Sequence, residues 1–122
     1  MTGCNLSADF FHFNYSNHLG GFLERLEYPM SYEFHMVLNV RTERGERIQK
    51  FHLNSRFRND ECRFIPLIQL RAGDATFRKL FSGIAEISDL YKDGDITVTG
   101  EAYLMGALSD ALKQYYRNGG GA

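Results

Sequence analysis

Two histidines, a glutamate, two cysteines and a run of arginines are the residues of this chain with chemistry to offer. His35 and His52 fall on one face of an expected β-ribbon, with Glu33 two positions before His35. In the register read from the sequence the two imidazoles are diagonal neighbours, about 7–8 Å apart. That is within reach of a shared ion, with Glu33 supplying a carboxylate. The spacing argues against this use, because no His-x-x-x-His, His-x-His or Cys-x-x-Cys pattern occurs anywhere. Neither a metal nor a cofactor is expected.

Nucleophilic chemistry is equally poorly supported. Cys62 follows Asp60 and Glu61, and neighbouring carboxylates hold a thiol protonated rather than activating it. Cys4 lies near the N-terminus, and two cysteines make no disulfide framework. There is no Gly-x-Ser-x-Gly elbow. His12 and His18 sit in an aromatic segment and read as packing or capping residues. Asp93 and Asp95 flank Gly94 in a turn, where carboxylates ordinarily satisfy backbone amides, and no EF-hand loop follows. Gly20-Gly21 has no P-loop lysine after it. A non-enzyme is expected; a small metal- or Cys-dependent enzyme is the third reading.

The cations offer more. Arg41, Arg44, Arg47, Lys50, Arg56, Arg58 and Arg63 crowd into residues 41–63, interrupted by Glu43, Glu46, Asp60 and Glu61. A basic β-ribbon can enter a nucleic-acid groove, so a nucleic-acid binder using this hairpin is the second reading. The whole chain carries a net charge of −1, whereas proteins that grip many phosphates are usually basic overall. The inner element order, α-β-β-β-α, is similar to that of double-stranded-RNA-binding domains. The lysine cluster which that family carries at the start of its second helix is missing, and Asp74-Ala75-Thr76-Phe77 stands there instead.

These groups have to be positioned by an ordinary single core. The chain has 122 residues, 43% of them hydrophobic and 24% charged, which suits one globular domain over 1–122 with a flexible tail at 118–122. No apolar run approaches the roughly 18–20 residues a bilayer span needs. The N-terminal residues lack a basic stretch followed by an apolar one, so a cytoplasmic protein without a membrane partner is expected.

Strand and helix periodicities divide the chain. Residues 9–15 read as a short strand. Leu19, Phe22, Leu23 and Leu26 follow at helical spacing over 17–27, stopped by Pro29. Residues 31–57 alternate on both sides of a short Gly-containing turn, so they form a β-hairpin. With Arg44-Gly45 at its tip, one face collects Tyr32, Phe34, Met36, Leu38 and Val40, with Phe34 opposite Ser55. The other face is mostly polar. Residues 62–70 read as a third strand, demoted to an edge or bulge by Pro66. One long helix is expected over 74–91, capped by Asp74, with Phe77, Leu80, Phe81, Ile84, Ile87 and Tyr91 on one stripe. A strand over 96–103 and a helix over 104–116 complete the list. The fold class is α+β, a mostly antiparallel sheet of about four strands with two or three helices packed on one face.

With the fold accounted for and no catalytic signature left over, the first reading is a non-catalytic protein-binding module of the inhibitor, immunity or phage anti-defence type. Its contact surface is the polar hairpin face: Glu33, His35, Asn39, Arg41, Lys50, His52, Asn54 and Arg56. Tyr103, Tyr115 and Tyr116 supply a candidate homodimer surface, since tyrosine is favoured at interfaces.

Overall fold

The hairpin sets the frame. Phe34–Thr42 (β1) and Gly45–Leu53 (β2) pair antiparallel, and Glu43-Arg44 makes the turn between them. Thr42 Oγ1 donates to the Gly45 carbonyl at 2.9 Å and accepts the Arg44 amide at 3.2 Å. Gly45 has φ of 116°, a conformation that costs glycine little and other residues much. The computed structural model describes residues 18–57 and 64–118, so the expected strand at 9–15 lies outside the described residues. The hairpin register differs from the expected one by two residues: Phe34 faces Leu53, and His35 faces His52 directly. A slip of two leaves every side chain on its original face. Phe34, Met36, Leu38 and Val40 are therefore completely buried, as the alternation requires.

The sheet has the order β2-β1-β3-β4, with Leu67–Gly73 as β3 and Ile96–Gly100 as β4. β3 runs parallel to β1, and β4 antiparallel to β3. The third strand is thus central, where an edge position or a bulge was expected. Pro66 does not interrupt its ladder because the strand starts one residue later, and the Pro66 carbonyl accepts the His35 amide at 2.8 Å. At the other seam the Leu67 carbonyl accepts the Glu101 amide at 2.8 Å.

Four α-helices and a short 3-10 turn at Ser55–Phe57 complete the described chain, the α-helices being His18–Arg25 (α1), Asp74–Phe81 (α2), Ile87–Lys92 (α3) and Tyr103–Arg117 (α4). Leu19 and Leu23 of α1 join the core under the sheet, and Tyr28 pins the exit from α1 by donating to the Leu23 carbonyl at 2.6 Å. The long helix expected over 74–91 is two helices. Gly83 takes a φ of 81°, so α2 ends at Phe81 with Ser82 as its C-cap, and the Ile84 and Ala85 amides both return to the Lys79 carbonyl. Gly73, not Asp74, is the N-cap. Asp74 sits in the first turn and pairs with Arg78 at 3.3 Å. Phe77, Leu80, Phe81, Ile87, Leu104, Leu108 and Leu112 bring α2, α3 and α4 into one core with β1 and β3.

Candidate functional site

The polar hairpin face divides into a buried half and an exposed half. Arg41, Lys50, His52 and Arg56 are exposed and His35 is half-buried, but Glu33, Asn39 and Asn54 are only 5%, 8% and 3% exposed. Asn54 is a structural lock. It adopts a left-handed φ of 60°, and its side-chain amide donates to the Met30 and Tyr32 carbonyls at 3.1 and 2.9 Å. Asn39 lies beside Ile48 and Arg71 in the sheet, and its Oδ1 is buried without a hydrogen-bond partner. These three residues are removed from the proposed contact surface by their own burial.

Glu33 and the two histidines do meet. His52 Nε2 donates to Glu33 Oε2 across 2.5 Å, and the His35 ring meets the His52 ring edge-on at a centroid distance of 4.8 Å. Burial pushes the His35 pKa down first, and the charges of His52 and Lys50 add to that. Among the described residues no group of three or more His, Cys, Asp or Glu side chains is arranged to hold a metal ion. Cys62 lies outside the described residues. The hairpin cations are not a clean basic stripe either: Glu46 is the strand partner of Arg41 and forms an ion pair with Arg71. Arg56 rests over the Phe57 ring at 4.9 Å.

The tyrosines separate. Tyr103 opens α4, exposed and hydrogen-bonded to the Tyr32 hydroxyl at 3.1 Å, which pushes its pKa up to about 12. Tyr115 and Tyr116 lie at the other end of that helix, roughly 18 Å away at the usual helical rise, and both pack against the core. Tyr115 meets Phe22 edge-on at 5.0 Å. The Tyr116 hydroxyl donates to the Phe81 carbonyl, and burial raises its pKa.

Tyr116 leads to a hollow that has the character of a binding site. A cavity of about 390 Å³ opens between the α2–α3 turn and the C-terminal half of α4. Its deep side is Leu80, Ile87 and Leu112, all nearly or fully buried. Gly83, Ala85 and the Tyr116 ring form a wall. The opening carries Glu86, Lys113 and Arg117, with Lys113 3.6 Å from Glu86. Small-molecule sites have this constitution, an apolar body with a few polar groups placed to orient the ligand, and typically enclose roughly 300–1,000 Å³. A smaller hollow of about 240 Å³ lies between the end of α1 and α4, beside Leu26, Ala111 and Tyr115.

Comparison with solved structures decides the architecture. The chain is similar to sterol carrier protein 2 like 2 from Aedes aegypti, with a TM-score of 0.60 and 16% identity over 88% of this chain and 98% of that one. The fold is SCP2-like. The apo form of sterol carrier protein 2 from Yarrowia lipolytica matches with a TM-score of 0.50 and 19% identity, over 89% of this chain and 85% of that one. A solution structure of palmitated SCP2L2 from Aedes aegypti matches with a TM-score of 0.51 and 21% identity, over 69% of this chain and 76% of that one. No protein-family model and no curated protein matches the chain.

This likeness overturns the reading of the chain as a docking inhibitor, immunity or anti-defence module with a protein partner. The SCP2-like structures it resembles are those of proteins named as sterol carriers, one of them palmitated. Among the described residues no helix is long and apolar enough to cross a membrane. The residues around the cavity were missed because periodicity over 74–91 conceals the break at Gly83. The available signal was Ser82-Gly83 itself, a pair that marks turns when it interrupts an otherwise regular stripe.

Proposed function

We propose that this chain binds an elongated apolar molecule with an anionic end, of the fatty-acid type, and carries it in the cavity between the α2–α3 turn and α4. The observation that carries this reading is the constitution of the cavity. Leu80, Ile87 and Leu112 offer buried hydrocarbon, while Lys113 and Arg117 stand at the opening. Burying hydrocarbon is worth about 0.8 kcal/mol per methylene, so about ten chain carbons inside correspond to the roughly 8 kcal/mol of micromolar-range affinity before the head group contributes. A carboxylate at the mouth would draw Lys113 from its exposed pair with Glu86, a contact worth little by itself. The SCP2-like fold supports a carrier, and the palmitated relative supports an acyl chain as cargo.

The test is a titration with a fluorescent fatty-acid analogue, followed by displacement with palmitate. Saturable one-to-one binding is expected. Ser109→Phe, which adds a ring at a lining position, should weaken it about tenfold, the worth of excluding one or two methylenes. Lys113→Glu should weaken the acid more than the matching alcohol. Non-saturable partitioning, or binding indifferent to Ser109→Phe, would reject the assignment.

A further inference from the structure

Ile84 is the most exposed large apolar residue among those described, at 77%. It is not at a frayed end. Its amide is bonded to the Lys79 carbonyl at 3.0 Å, and the amides on either side are bonded to Leu80 and Lys79 at 3.2 and 3.1 Å. Three successive backbone bonds and the left-handed Gly83 fix the tip of this turn. Gly83 and Ala85 both line the cavity, whereas Ile84 does not. A rigid turn therefore carries a bare isoleucine into water at the lip of an apolar cavity.

The charges beside this turn are mostly positive. Lys79 supplies the carbonyl that anchors it, and Lys113 and Arg117 stand across the opening; all three are exposed. Glu86 is the acid on the turn, already 3.6 Å from Lys113, and Asp110 lies on the exposed side of α4. A chain whose net charge is −1 thus gathers cations where its most exposed aliphatic side chain stands. Cations ringing an exposed hydrocarbon complement an anionic lipid surface, into which the hydrocarbon inserts while the ammonium and guanidinium groups remain among head groups.

We infer that the Gly83–Ala85 turn docks the cavity mouth onto an anionic lipid bilayer, with Ile84 as the inserting residue and Lys79, Lys113 and Arg117 as its electrostatic collar. Such docking lets an apolar ligand pass between bilayer and cavity without crossing water. The inference rests on the lipid-carrying assignment, but it is tested separately from it.

The chain has no tryptophan, so Ile84→Trp creates a single reporter at the lip. On vesicles of phosphatidylcholine mixed with phosphatidylglycerol its emission should shift to the blue and gain protection from iodide. Phosphatidylcholine alone should produce little change, and high salt should reverse the effect. Ile48→Trp, on the 65% exposed Ile48 position of β2, should stay unshifted. Ile84→Ser should lower vesicle partitioning about tenfold or more, the worth of one buried isoleucine side chain, while leaving equilibrium binding of the fluorescent fatty acid in vesicle-free buffer unchanged. An unshifted Ile84→Trp, equal shifts at both positions, or undiminished partitioning of Ile84→Ser would each overturn docking by this turn. A blue shift that appears without vesicles as protein concentration rises would identify a second copy of the chain as the occupant and overturn it as well. Loss of fatty-acid binding in the unmodified protein would instead sink the carrier assignment.

Discussion

Gly83→Ala is the substitution for which the structure gives the sharpest expectation. Gly83 has φ of 81°, and a Cβ built there would lie 2.8 and 2.9 Å from Cδ2 and Cε2 of Tyr116. An alanine in the left-handed region costs about 1 kcal/mol. Moving the Tyr116 ring aside stretches or breaks its hydroxyl bond to the Phe81 carbonyl, about 1 kcal/mol more, and sacrifices ring packing on the turn. The expected total is about 2–3 kcal/mol. With an unfolding entropy of about 2.1 cal/mol/K per residue over 122 residues, each kcal/mol shifts Tm by about 4 °C, so a fall of about 8–12 °C should appear in a thermal melt followed by far-UV circular dichroism. The backbone and ring contributions separate in a double-mutant cycle. In a Tyr116→Ala background the ring is gone, and Gly83→Ala should cost only the backbone share of about 1 kcal/mol. An equal cost in both backgrounds would refute the packing of Tyr116 against this turn, and with it the wall of the cavity.

Two further perturbations concern the hairpin face. His52→Ala leaves the buried Glu33 carboxylate without its hydrogen-bond donor and should cost about 2 kcal/mol in urea unfolding; adding Glu33→Gln should recover part of that, and a neutral His52→Ala would refute the contact. His35 titrates below the usual histidine range because burial, then His52 and Lys50, disfavour its charged form. The folded chain therefore binds fewer protons at this ring than the unfolded chain does. The resulting stability penalty is absent above about pH 6.5, the ordinary histidine value, and grows as pH falls below it, levelling off under the folded-state pKa. A Tm-against-pH curve should decline less steeply for His35→Phe than for the unmodified protein; identical slopes would refute the assignment.

Alternation proved more durable than register. Phe34, Met36, Leu38 and Val40 are buried although the hairpin is paired two residues away from the expected alignment, because facing depends on parity and a two-residue slip preserves it. The turn sequence could not distinguish a tip at Arg44-Gly45 from one at Glu43-Arg44, since Gly45 serves either. Burial on the polar face was not legible, because it depends on neighbours brought in by other elements. Asn39 is covered where β2 and β3 flank it, and Glu33 is covered where His52 closes over it. The parallel pairing of β3 with β1 was hidden for a related reason. Pro66 looked like a flaw inside a strand, whereas it stands one residue ahead of one, and a strand's place in the sheet follows from long-range pairing that local pattern does not encode.

The break at Gly83 links what was illegible to what the cavity offers. A single helix from Asp74 to Tyr91 would keep Ile84 on the same stripe as Phe77, Leu80 and Ile87, directed at the core. The left-handed Gly83 ends that stripe early. The chain steps outward, Ile84 leaves the core for solvent, and Ile87 returns to it on a new helix, 1% exposed. Gly83 and Ala85 of this turn line the hollow between it and α4, and Ile84 does not. The same local event thus sets a wall of the hollow and the bare side chain at its lip. For that reason Gly83→Ala and Ile84→Ser are expected to have unlike effects: the first disturbs the wall and the stability of the fold, while the second spares both and alters only what the lip can touch.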